Sequence, residues 1–130
     1  MPRIFSYIWA APATALGLIV VAASCLNGGS ARIVRGAIEV HGGFATRLLR
    51  RGIPLIGPGA AMTLGHVILG RDPHCLSVSR EHEHVHVRQY ERWGPLFLPI
   101  YVTASLVLWF RGRDPYLNNP FEREAYEQAP

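Results

Sequence analysis

At 130 residues the chain has room for one small domain and not for two. It is 49% apolar and only 17% charged, with a formal net charge of +4, and all 13 of its basic residues are Arg. The Arg residues are scattered and form no basic stripe with interleaved aromatics, which excludes a nucleic-acid-binding module and fits contact with anionic lipid head groups.

The first element is "IFSYIWAAPATALGLIVVAASCL", residues 4 to 26, which are 23 residues without a charge. A bilayer core needs about 20 apolar residues in a helix, so this length predicts a retained transmembrane anchor. Pro12 is tolerated in such a span, and Tyr7 and Trp9 sit near one end, where interfacial aromatics belong. The rival reading is a secretory signal peptide, with Arg3 as its charged start and "AAS" as its cleavage site. Arg32 and Arg35 outnumber Arg3, which places the chain beyond a retained anchor in the cytoplasm, whereas a cleaved signal would place it outside. Cys25 lies in "VAASC", a poor lipoprotein cleavage site because Ala stands three positions before it. Nothing in the spacing of Cys25 and Cys75 requires a disulfide.

Two strand-like stretches come next. "ARIVRGAIEVHGG" alternates apolar Ile33, Ala37 and Val40 with polar neighbours, and Gly42-Gly43 marks a turn. "AAMTLGHVILG", bounded by Gly59 and Gly70, reads as a half-buried strand, and "PLIGPG" before it as turn material. No sequence repeat is present.

From Ser79 the pattern becomes helical. Ser79 is the expected N-cap, and without Gly or Pro before Gly94 about four helical turns follow. His82 and His86 are four residues apart and project from one face. With Glu83 they form H-E-x-x-H. Two neutral imidazoles so spaced can share one Zn²⁺ at about 2.0–2.1 Å. The intervening Glu, offset around the helix, is free to act as general base on a metal-bound water. A solvated polar face is the bland alternative, and the helical register favours the metal site over it. His84 points away from the pair and is expected at the surface or an interface.

The second apolar run, "GPLFLPIYVTASLVLWF", covers residues 94 to 110 and ends at Arg111 and Arg113. Seventeen residues interrupted by Pro95 and Pro99 are at the lower limit for a span, so a hydrophobic helix dipping into or lying against the bilayer is expected. Beyond it, "NNPFEREAY" has Asn119 as an N-cap and Pro120 at the first helical position. Glu122 then either closes a capping box onto Asn119 or supplies the third ligand that a catalytic zinc site needs. Glu124 is the alternative ligand. It lies about 200° around the helix from Glu122, so the two cannot both face the metal. Glu127 is less well placed.

On these residues, "HEHVHVRQYERWGPLF" followed by "NPFEREAY", the chain resembles zincin metallopeptidases of the gluzincin type. It is more closely similar to small bacterial membrane-associated proteins with H-E-x-x-H-V-R-Q and N-P-F-E-x-E-A motifs, over roughly residues 60 to 126. The resemblance implies Zn²⁺ as cofactor, His82, His86 and Glu122 as ligands, and Glu83 as catalytic base. The family's supporting Asp falls on Tyr126, a departure that leaves this residue at most a hydrogen-bond donor near the ligands. The resemblance further implies a substrate strand pairing beside the helix; His66 in that stretch either faces the scissile carbonyl or, as is commoner for a lone His in a strand, is a packed or edge residue.

The expected architecture is therefore α+β. It is a minimal zincin-like domain of short β strands, an HExxH helix and a C-terminal Glu helix, with an N-terminal transmembrane helix and a second hydrophobic helix. Residues 1–28 form the anchor or signal segment and residues 29–130, including 94–110, the metal-binding domain. The expected function is a membrane-associated zinc metallopeptidase, at the bacterial inner membrane, with the lipid bilayer and a peptide or protein substrate as partners. Two alternatives are a metal-binding membrane protein that hydrolyses nothing, favoured by the small size, and a membrane adaptor with a solvated His face.

Overall fold

The computed structural model describes residues 3–52 and 59–129, so most of the "PLIGPG" turn lies outside the described residues. The elements run α1 (Arg3–Leu26), β1 (Ser30–Val34), β2 (Ala37–His41), α2 (Gly43–Arg51), β3 (Ala61–Leu64), β4 (Val67–Gly70), α3 (Pro73–Trp93), a 3₁₀ turn (Gly94–Leu96), α4 (Phe97–Phe110) and α5 (Pro120–Gln128). The mixed α+β class agrees with the sequence reading. The small sheet has the order β1-β2-β4-β3, with the parallel pair β2 and β4 flanked by antiparallel β1 and β3.

Each of the two stretches read as a strand is instead a hairpin with a two-residue turn. Arg35 and Gly36, at φ 52° and 80°, join β1 to β2 with the paired positive φ values of a type I′ turn. Gly65, at φ 62°, starts the turn from β3 to β4, where an added Cβ would meet Thr14 of α1. Ile33 proves exposed at 78%, because β1 is an edge strand, while Ala37 and Val40 are buried as expected.

The strands obey period-two alternation. Val40, Val67 and Leu69 point to one face, into a cluster with Val20 of α1 and Ala45 and Leu49 of α2. Ala37 and Ile68 point to the other, against Leu76 and Val87 of α3. The sheet is thus covered by α1 and α2 on one side and by α3 on the other. α2 was not legible as an element; its short "FATRLLRR" buries only Ala45 and Leu49.

α1 packs along its length against α2, α3, the 3₁₀ turn and the sheet. Its buried positions are Ser6, Ala10, Ala13, Gly17, Val20 and Ser24, which recur alternately at four and three residues. Five of these six are Ser, Ala or Gly, so the helix backbone can approach its neighbours closely, as at membrane helix interfaces. A Cβ on Gly17 would come 2.5 Å from Cβ of Val67. The opposite side exposes Ile4, Phe5, Ile8, Leu16 and Ile19.

By length and composition, Ile4–Leu26 and the continuous helical stretch Pro73–Phe110 could each cross a membrane. The apolar part of the second is residues 94–110. Only 28% and 22% of their most apolar windows are buried, less than in the core helix of a soluble protein.

α3 is longer than expected. Its N-cap is Asp72, not Ser79: the Asp72 carboxylate accepts the Cys75 N–H at 2.7 Å and Pro73 takes the first turn. Asp-Pro is itself a strong helix start, so Ser79 and Cys75 lie inside the helix. Glu39 of β2, fully buried, ties the sheet to α3 by accepting from Arg80 Nε and Nη2 at 2.8 and 3.0 Å.

Candidate metal centre

α3 and α5 bring His82, His86 and Glu122 together. Glu122 Oε1 lies 3.1 Å from His82 Nε2 and 3.0 Å from His86 Nε2, and one ligand atom from each residue lies within 4.8 Å of the others. A tetrahedral ion with bonds of about 2.0–2.1 Å spaces its ligand atoms about 3.3 Å apart, close to these separations. The group, mostly buried, could hold a metal ion.

The local sequence explains how Glu122 arrives there. Asn119 caps α5 as expected, its Oδ1 accepting the Phe121 N–H at 3.0 Å. Its Nδ2 donates to Tyr101 O and Ser105 Oγ on α4, which fastens the start of α5 to the middle of that helix. Glu122 then faces α3, and its second oxygen accepts the Tyr101 hydroxyl at 2.7 Å. The capping-box alternative is not what its carboxylate does. Glu124 lies away from the two imidazoles and accepts from Gln89 Nε2 at 2.7 Å.

Gln89 closes the H-E-x-x-H-V-R-Q stretch, and the sequence alone gives it no role. Its Oε1 is 2.7 Å from His86 Nδ1, and its amide is held by Phe121 O and Glu124. With Nε2 donating to those oxygens, Oε1 must accept, so neutral His86 carries its proton on Nδ1 and turns the Nε2 lone pair toward Glu122. This is the tautomer a metal ligand needs. Gln89 stands three residues after His86 on the same helix, and that spacing, with its place at the end of H-E-x-x-H-V-R-Q, is the available signal.

Glu83 is buried on α3 and accepts the Thr63 hydroxyl at 2.9 Å. Thr63 comes from β3, twenty residues earlier, and no local pattern marks it. Burial raises the Glu83 pKa, opposed by the charges of His86 and His82 and by the Thr63 hydrogen bond. For His86, burial disfavours the charged form, but the hydrogen bond and charge of Glu122, then Glu83 and Gln89, prevail and lift it to about 9. Burial likewise works against ionised Glu122, and the hydrogen bonds from His82 and His86, the charge of His86 and the Tyr101 hydroxyl bring it down to about 2. Both shifts favour a protonated His86 against an ionised Glu122 in the metal-free cluster.

The other predicted residues fall elsewhere. His66 lies in the β3–β4 turn, not within a strand; its Nε2 pairs with Glu91 at 2.8 Å and its ring lies against Tyr7. The structure does not bring it to the metal-ligand group. Tyr126 packs its ring against His82 with centroids 4.4 Å apart and shares a hydrogen bond with Tyr116. His84 points away from the pair, but it is buried at 8% exposure, because that side of α3 faces the sheet and its charged groups Arg35 and Glu39.

A cavity of about 340 Å³ adjoins the cluster, with Glu83, His86 and Glu122 at one wall. Thr63, Ala61 and Met62 of β3 form another, and Phe97, Leu98 and Val102 of α4 a third. β3 is a sheet edge. Its pairing, with Ala60 O accepting from Arg71 N and Leu64 opposite Val67, makes Ala61 and Thr63 the residues whose backbone groups point off the edge. The Thr63 carbonyl is taken by the Tyr90 hydroxyl at 3.1 Å.

Scans against protein-family models, curated proteins and solved structures return no match. The chemistry has to be read from the site itself.

Proposed function

We propose that the protein is a membrane-associated zinc metallopeptidase with His82, His86 and Glu122 as metal ligands and Glu83 as general base. The observation that carries this reading is Glu122 Oε1 within 3.0–3.1 Å of both imidazole Nε2 atoms, in one cavity wall with Glu83. Two imidazoles and one carboxylate are the donor set of a catalytic zinc site, which keeps its fourth position open. When bound, zinc supplies Lewis acidity and lowers the pKa of a coordinated water toward about 7.

The remaining steps belong to the chain. Glu83, held by Thr63, takes a proton from the attacking water and returns it to the leaving amine; burial raises its pKa and so makes it a stronger base. Gln89 fixes the His86 tautomer and Tyr101 orients Glu122. An extended substrate pairs with the outward backbone groups of Ala61 on β3. α1 and residues 94–110 hold the site at the bilayer.

A second reading is a metal-binding or purely structural membrane protein without hydrolytic activity. The mutual hydrogen bonds of His82, His86, Glu122 and Tyr101 favour it, since they satisfy the buried polar atoms as a latch between α3, α4 and α5. Zinc stoichiometry of the detergent-purified protein, with cleavage of an unstructured peptide by wild type and Glu83→Gln, separates the readings. One zinc ion per chain with Glu83-dependent cleavage supports the peptidase. Bound zinc without cleavage supports the second reading, and no bound zinc removes the metal site.

A further inference from the structure

Val102 lines the cavity and is also 45% exposed, so among the described residues the cavity wall breaks at the surface of α4. That surface carries no charge between Gly94 and Phe110. Leu98, one helical turn before Val102, also lines the cavity, and Leu106, one turn after it, is exposed. An apolar track therefore leads along α4 to the opening. Inside, the charged groups stand at the Glu83–His86–Glu122 wall, the hydroxyls of Thr63, Tyr90, Tyr101, Ser105 and Tyr116 are already engaged in hydrogen bonds, and Ala61, Met62, Phe97 and Leu98 make an apolar body. A charged side chain entering this body would lose hydration without finding a partner there, whereas an apolar one gains. The occupant also meets the off-edge N–H and C=O of Ala61, which a polypeptide backbone can pair and an acyl chain cannot.

Resting on the metallopeptidase reading, we propose that the substrate is a bilayer-borne polypeptide that enters sideways along α4 and seats an apolar residue in the cavity beside the scissile bond. The site then selects against soluble peptides by route as well as by fit.

The test uses the full chain as Glu83→Gln, zinc-loaded, in nanodiscs of phosphatidylcholine and phosphatidylglycerol, so that binding is read without turnover. Two photo-crosslinking peptides share one segment with a central Leu; one also carries an apolar anchor of about 20 residues. Crosslinks to the Met62 and Leu98 regions are quantified by mass spectrometry. The anchored peptide should label them, and Val102→Trp, which fills the opening, should reduce that labelling about tenfold, the scale of one lost apolar side-chain contact. Ile100→Trp, of equal bulk at an exposed α4 position about 200° around the helix from Val102 and outside the cavity, should leave it unchanged, which separates entry from the mere enrichment of anchored peptide in the disc. Equal labelling by the soluble peptide, insensitivity to Val102→Trp, or displacement of the peptide by a photoactivatable phospholipid would overturn lateral polypeptide entry. In wild type, Glu83-dependent cleavage of soluble peptides without selective labelling would leave the peptidase and remove the inference. Labelling without any cleavage would do the reverse.

Discussion

The Gln89 side-chain oxygen sits 2.7 Å from Nδ1 of His86, and that contact determines which nitrogen of the ring faces Glu122. Gln89→Leu keeps the bulk and removes the acceptor. Zinc affinity, measured by competition with a chelating dye, should fall about 10–100-fold, the usual cost of losing a group that orients a ligand. Glu124→Gln, which loosens the support of Gln89 and an exposed pairing with Arg92, should have a smaller effect.

The ligands themselves should show a sharper pattern. His82→Ala and His86→Ala should abolish stoichiometric zinc, and Glu122→Gln should weaken it, because each removes a donor from a set of three. Metal content by atomic emission checks all of them. If Glu124→Gln loses metal while Glu122→Gln keeps it, the assignment of Glu122 is overturned.

Two shifts give the metal-free protein a defined pH dependence. His86 is raised from 6.5 to about 9, so its contribution to stability is complete below 6.5 and is lost as pH rises through 9. Glu122 is lowered from 4.5 to about 2, so its contribution is present above 4.5 and is lost as pH falls through 2. The joint contribution of this pair should therefore be greatest between pH 4.5 and 6.5. Zinc needs the neutral imidazole, so its apparent affinity should rise about tenfold per pH unit up to pH about 9, with one proton released per ion. Thermal melts with and without zinc across this range should show the zinc-induced shift growing as the metal-free melting temperature declines.

Glu39 and Arg80 form the one described pair in which a fully buried carboxylate is held bidentately by Arg. Arg80→Ala should destabilise by about 3–5 kcal/mol, because it leaves that carboxylate buried without its main partner. Arg80→Met with Glu39→Leu should recover most of the loss. Denaturant titration of the detergent-solubilised protein reads both.

The seam of α1 makes a further prediction. Gly17→Ala should destabilise by about 1–3 kcal/mol, since the added methyl meets Val67 of β4. Ile8→Ala, on the exposed side, should be tolerated in a bilayer. Intact-mass measurement of the mature protein should find α1 present, because it supplies Val20 to the sheet cluster and Ala10 and Ala13 to the cluster around Tyr90 and Phe97. A mature chain starting at Leu26 or beyond would show a cleaved signal.

Local chemistry at fixed spacing is legible in the sequence. His82, Glu83 and His86 share a helix, Asn119-Pro120 is a helix start, and residues 4–26 are helical because nothing in them stops a helix except a tolerated Pro12. Asp72-Pro73 carries the same kind of signal, and it competes with Ser79, whose own capping pattern lies nearer the H-E-x-x-H residues. The α1 seam is also present in the sequence as small residues at alternating spacing, hidden by the apolarity of everything around it. Thr63, Tyr101 and the burial of His84 leave no such trace. They depend on β3, α4 and the sheet packing against α3, contacts between residues far apart in the chain. The hairpins escape a local reading because Arg35-Gly36 and Gly65-His66 sit inside short branched runs where a period-two pattern continues on either side.

Glu122 follows His86 by 36 residues, and the whole of α4 lies between them. A ribosome therefore delivers both imidazoles well before it delivers their carboxylate. In that interval α4 has to find its place, for Asn119 anchors α5 to Tyr101 and Ser105 in the middle of α4. The third ligand reaches the histidines only when this apolar helix is already seated. Assembly of the His82–His86–Glu122 group thus reports that α4 is in position, and a nascent molecule carries an H-E-x-x-H helix that still lacks its carboxylate partner.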